Sequence, residues 1–171
     1  MSTRWLTSEE SAAWTRLIAV LELLPAALDT QLRRDADLTN FDYYVLAMLS
    51  QAGEHTLRMT ELARQTNATL PRLSHVVKRL EGRGLVERFP CPEDKRATNA
   101  RLTSEGWRTI RATAPKHVAF VRDNVLDALD AEQVEQLAAI TDAILGRLDP
   151  EGAMAATYRR HDPASDPKND S

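Results

Sequence analysis

Cysteine is nearly absent from this 171-residue sequence. Cys91 stands alone, which excludes an intramolecular disulfide and any cysteine-rich zinc framework. The four histidines, His55, His75, His117 and His161, lie far apart and lack the local spacing of a metal site. Neither a metal nor a cofactor is expected. Glycine occurs only six times, and the sequence holds no glycine-rich phosphate loop, nucleophile elbow or His-Glu-x-x-His pattern. Carboxylates fall on helix faces and caps instead of forming a recognisable catalytic pair, so an enzyme is not expected. No apolar stretch is expected to approach the ~20 residues that span a bilayer, and the N-terminus has no apolar core of a secretory signal. A cytoplasmic location is the default expectation.

Net charge is also slight, −3 over the whole chain. The average hides an asymmetry. Residues 58–101 carry ten Lys/Arg and five Asp/Glu, a local balance of +5, against 12 and 20 in the remainder, or −8. A basic block inside an acidic chain is what local attraction to phosphate requires.

Hydrophobic spacing predicts a mainly α chain. Thr7-Ser-Glu-Glu10 reads as a capping box opening an amphipathic helix with Trp14, Leu17, Ile18, Leu21, Leu24 and Leu28 on one stripe. Pro25 should kink it. Thr39-Asn-Phe-Asp42 opens a second helix, closed by Gly53. Thr56 to Met59 is a short extended piece. Thr60 can cap a short helix through about Thr66, Asn67 supplies a turn, and a longer helix runs from about Leu70 to Gly82 or Arg83, burying Leu73, Val76, Val77 and Leu80. Gly84 ends it. Residues 85–89 and 100–102 form a β-hairpin around a charged loop. Thr103 caps a helix from Ser104 to about Leu129, with a kink expected at Pro115. Asp130-Ala-Glu-Gln133 opens a last helix, stopped by Asp149-Pro150. The polar residues 151–171 are expected to be disordered.

Short helix, turn, longer helix and hairpin together predict a winged helix-turn-helix. The second helix of that motif turns Thr69, Arg72, Ser74, His75, Lys78 and Arg79 outward. Side chains near the start of such a helix reach base edges in the major groove. Arginine can bond guanine bidentately, and Ser, Thr and His can donate or accept. Lys78 and Arg79 lie further along and suit backbone phosphates. Asp94, Lys95 and Arg96 sit at the hairpin tip, where a cation can enter the minor groove and Asp94 can steer the Arg96 guanidinium.

Residues 38–107 resemble the core of the MarR family. The likeness rests on Met59-Thr-Glu-Leu-Ala63, on the run from Leu73-Ser-His-Val-Val through Gly82-Arg-Gly-Leu-Val-Glu-Arg88, on Glu93-Asp-Lys-Arg96 and on Leu102-Thr-Ser-Glu-Gly106. With the flanking helices it covers about residues 5–149. The implied fold is a winged helix-turn-helix with long terminal dimerisation helices: a dimerisation helix over 5–37, a DNA-binding domain over 38–103, C-terminal dimerisation helices over 104–149, and a tail over 150–171. The implied function is a homodimeric DNA-binding regulator, in the commoner mode a repressor, reading a pseudo-palindromic double-stranded operator. Length supports the dimer independently: a helix of about 26 residues would be roughly 39 Å long, too long for so small a domain to cover.

The resemblance also implies a small aromatic or phenolic effector, for which Trp14, Leu17, Tyr44, Trp107 and His117 are candidate lining residues, with Tyr43 a core alternative. Cys91 raises a redox-responsive regulator, with Arg88, Lys95 and Arg96 lowering its pKa and Glu93 and Asp94 opposing them. The family's peroxide-sensing branch keeps its cysteine near the N-terminus, where this chain has none. A winged-helix module that binds protein is the remaining alternative.

Overall fold

The computed structural model describes residues 3–162. Its first helix, α1 (Ser8–Ala36), opens with the expected capping box: the Glu10 amide donates to Thr7 Oγ1 and the Thr7 amide to Glu10 Oε2. The same device opens α2 (Asn40–Gln51) at Thr39 and Asp42. A 3-10 turn over Gly53–His55 leads into β1 (Thr56–Arg58) and α3 (Met59–Gln65). Thr60 does not cap α3. The helix begins two residues earlier, because β1 is already paired to the sheet and delivers the chain at Arg58 in an extended conformation.

Asn67 makes the tight turn at a positive φ of 48°, and α4 (Leu70–Gly82) follows, capped by Thr69. Its buried residues are Leu73, Val76, Val77 and Leu80, as the spacing predicts. Gly84, at φ 72°, closes it with the Leu85 amide donating to the Leu80 carbonyl. The hairpin is β2 (Val86–Pro90) with β3 (Thr98–Leu102), and β1 adds a third antiparallel strand on the far side of β3. The fold is a winged helix-turn-helix.

α5 (Ser104–Asn124) is shorter than expected. At Val125 the backbone turns away (φ −130°, ψ −64°) into a 3-10 turn, Leu126–Ala128, that an Arg122–Asp127 ion pair spans at 2.7 Å. α6 (Ala131–Leu148) has the expected capping box at Asp130. Both α1 and α5 run on through Pro25 and Pro115 as single helices. α1 is, by length and composition, apolar enough to cross a membrane, which a search for unbroken apolar runs misses because Arg16 and Glu22 interrupt it.

Residues 151–162 are not a disordered tail. Asp149 accepts the amides of Ala153 and Met154 (2.7 and 2.9 Å) and the Tyr158 hydroxyl (3.0 Å), which starts a short helix, α7 (Ala155–Tyr158). Tyr44 reaches it from α2, within 2.8 Å of Thr157 Oγ1, and also donates to the Gln65 carbonyl at 3.1 Å. Arg159 pairs with Asp142 on α6 at 3.1 Å. These polar ties replace the apolar contacts that the composition lacks. The part of the expected tail beyond 162 lies outside the described residues.

The core is closed within the lobe formed by α2–α4, the sheet and the adjoining ends of α1 and α5. Leu32, Leu38, Val45, Leu46, Leu49, Leu62, Leu73, Val77 and Leu80 are fully buried there. α6, by contrast, has no buried residue, and α1 buries only Gln31 and Leu32.

The start of α5 presses directly on the chain leaving α4. Thr103 Oγ1 donates to the Gly84 carbonyl at 2.6 Å and the Thr103 amide to the Leu85 carbonyl at 3.1 Å. A Cβ at Gly106 would collide with the Leu85 carbonyl and lie 2.7 Å from Leu102 Cδ1. Gly106→Ala should therefore cost about 1–3 kcal/mol of stability, measured as a lower midpoint in urea unfolding. An unchanged midpoint would mean that α5 can lift off Leu85 without penalty.

Candidate nucleic-acid interface

Five of the six candidate residues on α4 or its cap, Thr69, Arg72, His75, Lys78 and Arg79, are exposed, and Ser74 is half-buried. They follow from the helix period: once Leu73, Val76, Val77 and Leu80 face the core, the intervening positions must face water. Thr69 Oγ1 accepts the Arg72 amide at 3.4 Å, and the Arg72 guanidinium lies 4.3 Å over the Phe41 ring. Arg79 is not a free cation. Its guanidinium is paired with the buried carboxylate of Asp42 on α2.

Asp94, Lys95 and Arg96 are exposed at the wing tip. Asp94 does not steer the Arg96 guanidinium as expected. Its Oδ1 accepts the Arg96 backbone amide at 3.0 Å, while its carbonyl accepts the Ala97 amide at 2.9 Å, so it shapes the turn and leaves the guanidinium unengaged. Cys91 closes the base of this loop, buried, its amide donating to the Ala97 carbonyl at 2.8 Å. The backbone amide of Glu93 pulls its thiol below the usual value, helped by the Asp94 amide and Arg58 and opposed by burial. Arg88, Lys95 and Arg96, the expected causes, are not among these.

Between the two elements lies a cleft of about 200 Å³, lined by Met59, Thr60, Leu70, Ser74, Arg88, Arg96, Ala97 and Thr98. One ion pair that the sequence reading missed fixes its walls. Glu81 on α4 accepts from Arg88 on β2, at 2.7 Å from the guanidinium and 3.0 Å from the amide, and these bonds hold the Glu81 carboxyl below its usual range. The i,i+7 spacing of Glu81 and Arg88 carries no signal for a bond across a turn.

The ion pairs sort the charge. Glu61, Glu81 and Glu87 are taken by Arg64, Arg88 and Arg101, and Asp42 by Arg79. Among the described residues, Arg72, Lys78, Lys95 and Arg96 form no ion pair, and all four stand on α4 or the wing.

The five candidate effector residues do not gather round one cavity. Trp14 and Leu17 stand exposed on α1. Tyr44 is engaged by α7, and Trp107 stacks on His55, ring centroids 4.7 Å apart. His117 alone stands where α1 meets the lobe, with Nδ1 3.3 Å from Gln31 Oε1 and its ring 4.4 Å from that of Tyr43. Tyr43 packs against the core. Among the described residues no group of His, Cys, Asp and Glu could hold a metal ion.

A family model for MarR matches residues 38–98, from the start of α2 to the first residue of β3. Sco3205 from Streptomyces coelicolor, a MarR family regulator solved in complex with DNA, is 44% identical; the likeness covers 87% of this chain and 93% of Sco3205, with a TM-score of 0.84. The chain belongs to the MarR family. AbsC from the same organism, also a MarR family regulator, is 38% identical over 85% of this chain and 98% of its own, with a TM-score of 0.81. Among curated proteins, the transcriptional repressor YetL of Bacillus subtilis (strain 168) is 31% identical over 93 residues, 53% of this chain. That alignment spans 56% of YetL, so the chain matches little more than half the length of this relative. All three are named as transcriptional regulators, not as enzymes.

Two predictions follow from the MarR lobe's polar contacts. Arg79→Ala strands the buried Asp42 carboxylate and should cost about 1–2 kcal/mol of stability, discounted because the guanidinium is partly in water. Lys78→Ala should stay within about 0.5 kcal/mol of the parent. Equal stabilities in urea unfolding would remove the structural role of Arg79. The second concerns His117, whose pKa burial pushes below the ordinary 6.5. The unfolded chain then binds the proton first, so stability is intact above that ordinary value and is lost as pH falls toward the folded one. From about pH 7.5 to 5 the parent should lose more stability than His117→Gln, by thermal unfolding at each pH; parallel losses would exclude the imidazole as the cause.

Proposed function

We propose that this chain is a homodimeric, sequence-specific DNA-binding transcriptional repressor that reads a pseudo-palindromic operator. The observation that carries the reading is the set of four cations free of carboxylates, Arg72, Lys78, Lys95 and Arg96, displayed on two elements flanking one cleft. α4 enters the major groove, with Arg72 on a guanine and Thr69, Ser74 and His75 on neighbouring base edges. Lys78 and the outer face of Arg79 grip phosphate. Lys95 and Arg96 reach the adjacent minor groove from a turn that Asp94 holds in shape. A protein-binding wing would have no need of unpaired cations on both elements.

The dimer is supported by the apolar faces that one chain leaves in water. Val20, Leu21 and Leu23 on α1, Val118 on α5, and Val134, Leu137, Ile140 and Ile144 on α6 are all exposed. α1, the end of α5 and α6 border an apolar groove that includes Leu24, Val125, Leu129 and Ile140, suited to the helices of a second copy. Sco3205 supports the DNA assignment through its complex, and YetL supports repression through its name. With the candidate aromatic residues dispersed, effector release is left out of this reading.

Selection of bound duplexes from a random DNA pool tests it. The expected product is an inverted repeat with half-sites about one helical turn apart. Arg72→Ala should then weaken binding by about 1–3 kcal/mol and relax preference at one position per half-site. A pool that yields no common sequence would reject the reading, and uniform weakening on every sequence would make Arg72 a phosphate contact.

A further inference from the structure

The large apolar side chains left exposed lie on the residues before α1, on α1, on α5 and on α6, with one exception. Among the described residues, Leu70, 45% exposed, is the one such residue on α3 or α4, and it is the first residue of α4; Trp107, at the start of α5, stacks on His55. It continues the stripe of Leu73, Val77 and Leu80 one turn beyond the point where the core ends, so its side chain overhangs the cleft shared with Ser74, Arg88 and Arg96. Thr69, capping the helix immediately before it, and Pro71, with its fixed φ, hold the backbone of that turn.

Leu70 shares the cleft with Met59 and Ala97 and with Arg88 and Arg96, and nearly half of its surface stays open to solvent. In the major groove, bases offer donors, acceptors and one apolar group, the C5 methyl of thymine. The first turn of a recognition helix is the part that approaches base edges. We infer that Leu70 is a specificity-determining residue, reading the C5 methyl of a thymine in each half-site. The inference rests on the DNA-reading function proposed above and adds to it an apolar contact beside the polar ones.

The test uses the full-length protein and the operator recovered by selection, with each thymine replaced in turn by deoxyuridine, which removes the methyl and leaves every hydrogen-bonding group in place. One position per half-site should weaken binding roughly fourfold, and the doubly substituted operator about fifteenfold, the value of one methyl-sized group moved from contact into water. Leu70→Ala, an exposed change at a helix terminus, should bind thymine and deoxyuridine operators equally, and Leu70→Met should keep the discrimination. The inference is overturned if every thymine tolerates the replacement, or if Leu70→Ala retains the same loss. Both outcomes leave specific DNA binding standing. A selection that recovers no operator removes the parent reading and this contact with it.

Discussion

A buried carboxylate sets the attitude of α4. Asp42 is almost fully enclosed, accepts the Thr39 amide at 2.8 Å as part of the α2 capping box, and takes the Arg79 guanidinium on its other oxygen. A charge in that position is tolerable only while its partners stay in place, so α4 cannot roll or slide along α2 without stranding it. Glu81 ties the next turn of α4 to Arg88 on β2, and Arg83 donates to the Ala36 and Asp37 carbonyls at the end of α1. All three ties sit in the C-terminal half of the helix. Residues 69–75 are left projecting, held by a cap at one end and by leucine and valine packing beneath.

The same bonds redistribute the charge. Counted along the chain, residues 58–101 are merely basic on balance. Counted in space, most of their acids are spent on arginines that brace the lobe, and what stays free is concentrated on α4 and the wing tip. Asp94 illustrates the economy of the arrangement: bonded to backbone amides, it rigidifies the wing without neutralising Arg96. The unpaired charge on α4 is therefore of one sign although the chain's total charge is negative, while at the wing tip Lys95 and Arg96 share the turn with Glu93 and Asp94.

The features legible in the sequence are those set by neighbours in the chain. Capping boxes at Thr7, Thr39 and Asp130, the stripe of α4 and the positive φ of Asn67 and Gly84 all follow from contacts within a few residues. What was not legible depends on partners distant in sequence. Arg79 looks like any outward cation until Asp42, 37 residues away, is brought beneath it. The segment after Pro150 looks like solvent-exposed tail until Tyr44 and Met48 on α2 supply partners for Thr157. Aromatic residues spaced like a pocket scatter because each answers to a different neighbour: Trp107 to His55, Tyr44 to Thr157, His117 to Gln31.

Apolar surface is divided in the same way as charge. The lobe closes its own core, and on α3 and α4 the one large apolar residue left exposed among the described residues, Leu70, lines the cleft. The arms close nothing: α6 buries no residue, and α1 is apolar enough to pass for a membrane helix while lying open to water. Exposed apolar area on this scale is unfavourable unless another surface covers it. For the arms, a stripe that runs the length of each helix calls for a surface of similar length, which a second α1, α5 and α6 would provide. Leu70 is a single side chain at a cationic cleft, so the partner inferred for it is one small apolar group on an otherwise polar, anionic surface. The two surfaces differ in size and in electrostatic setting, as the proposed contact with a second copy and the proposed contact with DNA would require.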